Sequence, residues 1–332
     1  MTRTVRFYEL GGPEVMTLED VEVGEPGPGE VRIRVDAIGL NRAEALFRSG
    51  QYIQPVKQFP ARLGSEAAGV IESVGPDIDG LSPGQLISTV PNFSQNDYGV
   101  YAARAIVPAT AIVPRPEGLG AVEGAAVWMS YLTAYGALVE VGRLLPGDTV
   151  VLNAASSSVG LAALQVANRI GVTPIALTRS EAKEEALLKA GAAEVIVTES
   201  EPVIDRVFAA TGGRGAELVL DAVAGPGVVD LAKIVAADGT LLVYGALSGK
   251  PTPYPGIELG MPPLNIRTYT MLETATSPQR LRRAHAFVAS GLSSGALQPA
   301  VDRTFELAEI VEAHRYLESN AQVGKIVVTV SH

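Results

Sequence analysis

The sequence predicts an α/β protein in which a doubly wound parallel sheet is set into a mostly β domain. Three observations carry this. From Asp148 to Leu247 the chain alternates five apolar strand runs with four helical runs. Residues 1–115 instead carry short β-branched runs bounded by glycine and proline clusters. After Gly249 the alternation stops, and the remaining strands and helices have no obvious core of their own.

Each element follows from its local pattern. In the first region "VRIRVDAIGL" and "AAGVIESVG" read as strands, and "GEPGPGE", "GPDIDGLSPG" and "VPRPEG" as turns. Short strands punctuated in this way predict a barrel-like or partly open β domain. Near residue 121 the texture changes, and "AVEGAAVWMSYLTAYGALVEVG" has helical spacing. The repeat then begins: strands "DTVVLNAA", "TPIALT", "AEVIV", "AELVLDAV" and "TLLVYGAL" are separated by helices "VGLAALQVANRIG", "EAKEEALLKAG", "PVIDRVFAATGG" and "GVVDLAKIVAADG". These strands are continuous apolar runs, as a sheet covered on both faces requires, and right-handed crossovers make it doubly wound. "KPTPYPGIELGMPP" is then a proline-rich loop. "IRTYTML" is a strand, "PQRLRRAHAFVASG" and "LAEIVEAHRYLES" are helices, and "GKIVVTV" is a terminal strand. The simplest arrangement returns this segment to the β domain. The expected domains are 1–121 with 267–332, and 122–266.

Composition narrows the function. A chain of 332 residues, 47% hydrophobic and 19% charged, is globular and long enough for two domains. A net charge of −10 argues against general affinity for nucleic acid or anionic membrane, while allowing a local basic pocket. With no cysteine there is no disulfide, thiolate zinc site or cysteine nucleophile. The three histidines are His285 and His314, on amphipathic helical runs, and His332, the last residue. They read as surface or packing residues, not as a metal site or triad. There is no apolar core of signal-peptide length at the N-terminus and no run of about 20 apolar residues, so a cytoplasmic protein without membrane or nucleic-acid partners is expected.

The chemistry concentrates at "VVLNAASSSVGL", residues 150–161, between the first strand and first helix of the repeat. A dinucleotide loop needs a tight turn, close backbone approach to the pyrophosphate and a helix N-terminus aimed at the charge. With Gly160 as the third glycine of G-x-G-x-x-G, the other two positions are Ala155 and Ser157. The bare motif is weak, but its place at the head of the alternation is the context in which it is credible. Ser156, Ser157, Ser158 and Val159 are therefore expected to meet phosphate. Ser157 or Ser158 also reads as the N-cap of the helix. The second strand ends at "ALTRSEAK", where an acidic residue would favour NAD and a basic one the 2′-phosphate of NADP. Arg179, Ser180 and Lys183 stand there, and Glu181 falls into the following helix turn, so the expected cofactor is NADP(H).

Across nearly its whole length the chain resembles the zinc-free quinone oxidoreductase branch of the medium-chain dehydrogenase/reductases. The resemblance rests on "EPGPGEVRIRVDAIGLNRAEALFRSGQY", "LGSEAAGVIESVG", "PGDTVVLNAASSSVGLAALQVA" and "GKIVVTV". Asn41 stands where zinc alcohol dehydrogenases carry a cysteine ligand, and Ser65 where they carry a ligand histidine, so no metal is expected. The loop is closer to the N-A-S-x-S-G-V-G form of enoyl thioester reductases, which also have serine at the position of Ser157. Ser158 departs from that form too. The resemblance implies a Rossmann domain inserted in a GroES-like catalytic domain. It implies hydride transfer from NADPH to a small electrophile: a quinone, an enone or 2-enal, or an enoyl thioester. Tyr52 matches the proton donor or substrate anchor of the enoyl reductases. Asn41 matches a position near the nicotinamide, Thr133 a residue that packs on it, and Gly245, with Ala246 and Leu247, the backbone beside it. Asn320 and Lys325 match residues near the cofactor, while Trp128 and Met129 read as packing. Some members of the branch are nucleotide-bound proteins of weak activity, which is the alternative reading here. The branch commonly forms homodimers by strand pairing, for which "IRTYTML" is the candidate.

Overall fold

The structure is a computed structural model that describes residues 1–256, 259–261 and 263–332. Residues 257, 258 and 262 of the expected proline-rich loop lie outside the described residues. The chain divides into two compact units, Met1–Met129 with Pro299–His332, and Ser130–Gln298.

The first unit opens with β1 (Thr2–Phe7), β2 (Met16–Val21), β3 (Glu30–Gly39), α1 (Arg42–Arg48), β4 (Ala61–Arg62) and β5 (Ala67–Val74). It continues with β6 (Leu86–Thr89), β7 (Arg104–Pro108), β8 (Ile112–Pro114) and α2 (Ala121–Gly124). Next comes α3 (Trp128–Tyr135). The second unit contains β9 (Thr149–Leu152), α4 (Ser158–Arg169), β10 (Thr173–Thr178), α5 (Glu184–Lys189), β11 (Glu194–Val197) and α6 (Val203–Ala210). It goes on with β12 (Ala216–Asp221), α7 (Val228–Lys233), β13 (Val235–Val243), β14 (Asn265–Thr268), α8 (Leu272–Ala275) and α9 (Pro278–Ser293). The chain then returns to the first unit with β15 (Val301–Glu306), α10 (Ile310–Ser319) and β16 (Lys325–Thr329).

In the first unit, β2-β1-β4 form one sheet and β15-β16-β3-β5-β6-β8 the path of a second, with β7 pairing β3. Alternation along β3 buries Val31, Ile33 and Val35 against Phe7, Phe47, Leu63 and Val328. In the second unit the sheet order is β11-β10-β9-β12-β13-β14, every pair parallel. Val151, Ile175, Ile196, Val219 and Leu241 form its core. This is the parallel sheet beside a β unit that the alternation and its flanks predict, with the Rossmann-like and GroES-like character that the resemblance implies.

Three details differ from expectation. β14 stops at Thr268, and Tyr269 leaves the strand to donate its hydroxyl to the Leu132 carbonyl at 3.3 Å. β15 has no strong strand signal in its sequence, since four of its six residues are polar or charged and only Val301 and Phe305, at spaced positions, are apolar; parallel pairing with β16 forms it nevertheless. The expected junction at 266/267 falls inside β14, because Arg267 and Thr268 continue the ladder with β13, and the units part instead at Met129 and Gln298.

Candidate functional site

In the second unit the strand order turns at β9, with β10 on one side and β12 on the other. Such a switch point opens a crevice beyond the strand ends. The two ends are latched by side chains. Asn153 donates to Asp221 Oδ1 at 2.5 Å, and its own Oδ1 accepts from the Ala222 N–H at 2.7 Å. Asp221 Oδ1 also accepts from the Val223 and Ala224 amides at 2.8 and 3.0 Å.

The serine loop sits on this latch. Ser157 is the N-cap of α4, with extended backbone (φ −70°, ψ 162°), and its hydroxyl accepts from the Gly160 N–H at 3.1 Å. Ser158 begins the helix. Neither serine has the left-handed backbone that favours glycine, whereas Ala154 does, at φ 47°. Gly160 does need to be glycine, since a Cβ there would lie 2.3 Å from the Ala155 carbonyl oxygen. Tyr244 hydrogen-bonds Ser157; burial, and then the charge of Asp221, raise its hydroxyl well above the ordinary range, so it stays protonated. Lys183 places its ammonium 3.1 Å from Ser156 Oγ, while Arg179 and Ser180 are exposed at the end of β10. Gly245 passes so close to β12 that a Cβ would lie 2.3 Å from the Ala222 carbonyl, and the Leu247 amide donates to that carbonyl at 3.2 Å. Ala246 and Leu247 are exposed. Thr133 is buried on α3, just before a π-helical stretch, Gly136–Val141.

The first unit holds a buried polar cluster. Lys325, 1% exposed, bonds Glu66 Oε2 at 2.5 Å and Asn41 Oδ1 at 2.6 Å. The Asn41 amide nitrogen donates to the Gly39 carbonyl at 3.2 Å and Glu66 at 3.3 Å. Glu44 completes a capping box on α1, accepting from the Asn41 N–H at 2.7 Å, and it also accepts from Ser65 Oγ at 3.0 Å. Glu66 Oε1 accepts from the Met129 N–H at 3.0 Å. Burial drives the Glu44 carboxyl up to about 7, against the opposing pull of Lys325 and of hydrogen bonds from Ser65 and Asn41.

Of the expected residues, Asn41 and Lys325 meet in this cluster with their polar atoms committed to protein partners. Asn320 caps α10 in the left-handed conformation and accepts from Arg42 at 2.6 Å. Tyr52 is half-buried edge-on to Phe47, with no hydrogen bond to its hydroxyl among the described residues; burial, then Glu44, raise its pKa. Trp128 is buried, in keeping with a packing role. His314 is fully buried beside the Tyr101 hydroxyl at 3.1 Å, and burial, then Arg48 and Arg42, hold its pKa down at about 3. Sequence reasoning missed Glu44, Glu66, Asp221, Asn153 and Tyr244. Only Glu44 carried a signal, the N-x-x-E spacing of a capping box.

A zinc site does not fit these residues. Among the described residues no group of three or more His, Cys, Asp or Glu side chains could hold a metal, and a lysine ammonium already balances Glu66. The residues fit a dinucleotide better: an amide-rich helix start, loop hydroxyls and a basic side chain leaning over them.

The fold and these sites define a two-unit oxidoreductase of the dehydrogenase type. Two sequence families match, one described as "Alcohol dehydrogenase GroES-like domain" over residues 27–117, the other as "Zinc-binding dehydrogenase" over 190–328. The quinone oxidoreductase of Pseudomonas aeruginosa is 31% identical over 332 residues, covering 99% of both chains. A 2-haloacrylate reductase of a Burkholderia species is 28% identical, covering 99% of both. The structure of Escherichia coli quinone oxidoreductase in complex with NADPH superposes with a TM-score of 0.91 at 26% identity, covering 99% of this chain and 100% of that one. The chain belongs to the medium-chain dehydrogenase/reductase superfamily, in its zinc-free quinone oxidoreductase branch.

Proposed function

We propose that this oxidoreductase works without zinc, uses NADPH, and reduces quinones or carbon–carbon double bonds activated by a carbonyl: enones, 2-enals or enoyl thioesters. The observation that carries the proposal is the Lys183 ammonium 3.1 Å from Ser156 Oγ, which puts positive charge over the loop that opens α4. The E. coli relative, which binds NADPH, supports the cofactor; the P. aeruginosa and Burkholderia relatives support the acceptor class. When bound, NADPH supplies the hydride.

The chain's own residues divide the remaining work. The amides at the start of α4, through Val159, and the hydroxyls of Ser156, Ser157 and Ser158 hold the pyrophosphate. Arg179, Ser180 and Lys183 hold the 2′-phosphate. Thr133 and the Gly245–Ala246–Leu247 backbone border the nicotinamide. Asn41 and Lys325 act by shape and fixed charge, because their hydrogen bonds are committed internally, and Arg42 fixes Asn320 at the cofactor's edge. Tyr52 holds its proton across the neutral range, hydrogen-bonds the substrate carbonyl oxygen and delivers a proton as the activated bond is reduced. We further propose a cytoplasmic homodimer joined through β14, the edge strand of the six-stranded sheet.

NADPH oxidation followed by absorbance against a panel of ortho- and para-quinones, 2-alkenals and enoyl thioesters tests the function. Turnover with at least one is expected. Tight NADPH binding with no oxidation by any of them would replace the enzyme with a nucleotide-binding protein. Light scattering tests the dimer, and a monomer mass removes it.

A further inference from the structure

Two arginines face each other on the small sheet of the first unit. Arg6 of β1 and Arg62 of β4 are direct antiparallel partners, so their side chains leave the same face of the sheet. Thr17 of β2 is the partner of Arg6 on its other side. Both arginines are half-buried, and among the described residues neither guanidinium has a hydrogen bond or an ion pair. Glu19, the acid nearest along that face of β2, is engaged elsewhere, accepting from the Tyr8 hydroxyl at 3.0 and 3.1 Å. Burial, and then the charge of Arg6, push the Arg62 pKa down.

Like charges set directly opposite each other destabilise a sheet. The chain has no general need of positive charge, its net charge being −10. A local conflict of this kind, retained in an otherwise consistent fold, marks a functional position. Two guanidinium forks on one face can each present paired N–H donors to a tetrahedral oxyanion.

We propose that Arg6 and Arg62 form an anion site that takes a phosphate group, either free or carried as a monoester on an organic molecule. This site lies in the unit that lacks the serine loop, and it does not depend on the proposed oxidoreductase function.

The test is thermal unfolding and calorimetric titration of wild type, Arg62→Gln and Arg6→Gln. One arm uses inorganic phosphate, the other phenyl phosphate, each against sodium chloride of equal ionic strength. The expected result is saturable binding by wild type, weakened at least about tenfold in each variant, since each removes one charge-assisted partner. Tighter binding of phenyl phosphate would assign the site to a phosphomonoester, and tighter binding of inorganic phosphate to the free ion. Without phosphate at low ionic strength, whichever variant folds should unfold at or above the wild-type temperature, because the repulsion is gone. Equal phosphate responses in wild type and variants, no response in wild type, or a lower unfolding temperature for both phosphate-free variants would overturn the proposal.

Discussion

The buried cluster around Lys325 and the serine loop at the head of α4 are both rich in polar atoms, but they are built in opposite ways. Glu44 and Glu66 are 0% exposed, and their oxygens accept from Asn41, Ser65, Lys325 and a main-chain amide. Ser156, Ser157, Ser158 and Val159 are all half-exposed. Polarity sealed away from water must satisfy itself, or it costs the full desolvation of each unpaired group. Polarity left at a surface crevice keeps donors available for a ligand. The cluster is therefore built as structure, and the loop keeps its donors exposed for the binding role proposed for it.

The hardest way to break this contrast is Lys325→Met. It leaves two buried carboxyl groups without their cation, and unfolding in urea should show a loss of about 3–5 kcal/mol. A loss below about 1 kcal/mol would mean the cluster is wetter than its burial states. Tyr52→Phe should instead leave stability nearly intact and lower kcat by about a hundredfold, the scale of a lost general acid, with NADPH affinity unchanged. Arg179→Ala combined with Lys183→Ala should weaken NADPH about 10- to 100-fold by fluorescence titration and leave NADH nearly unaffected. Equal losses for both cofactors would refute the 2′-phosphate assignment.

A pH experiment sharpens the comparison. The Glu44 carboxyl sits at about 7 in the fold, against 4.5 in its ordinary state, chiefly through burial. Between those values the folded chain holds a proton that the unfolded chain has released. The stability this contributes is full below 4.5 and is lost as the pH rises through 7. Glu44→Gln cannot titrate, so its unfolding free energy in urea should fall less than that of wild type between about pH 5 and pH 8, a difference on the order of 2–3 kcal/mol. Identical pH profiles would show that Glu44 stays charged. The smallest effect is Ser157→Ala, which removes the cap on Gly160 and should cost about 1 kcal/mol, while Ser157→Gly should cost only a few tenths.

The two regions also differ in how visible they are in sequence. The loop was legible because its signals are local: an apolar strand, small residues, a glycine and a helix within twelve positions, repeated by neighbours of the same period. Its backbone was not legible: the left-handed residue is Ala154, which no sequence signal singled out. The cluster was almost invisible. Lys325 and Asn41 lie 284 residues apart, and no periodicity joins them. Asn41 and Lys325 entered only by resemblance, and Glu66 not at all, although the capping box gave a local reason to look at Glu44. Strand β15 was missed for a related reason: its pattern is mostly polar, and parallel pairing with β16 makes it a strand.

The place of β16 has a consequence for biosynthesis. It lies between β15 and β3 in the seven-stranded sheet, and it delivers Lys325 to the Glu66 carboxylate and the Asn41 amide oxygen, both translated long before it. The Rossmann-like unit is continuous in sequence and can fold as soon as residue 298 clears the ribosome. The other unit must wait, with the edge of β3 open and Glu66 without its cation, until β16 is made. During that interval the nascent chain depends on how fast residues 299–332 are made, and on any chaperone that covers an unpaired strand.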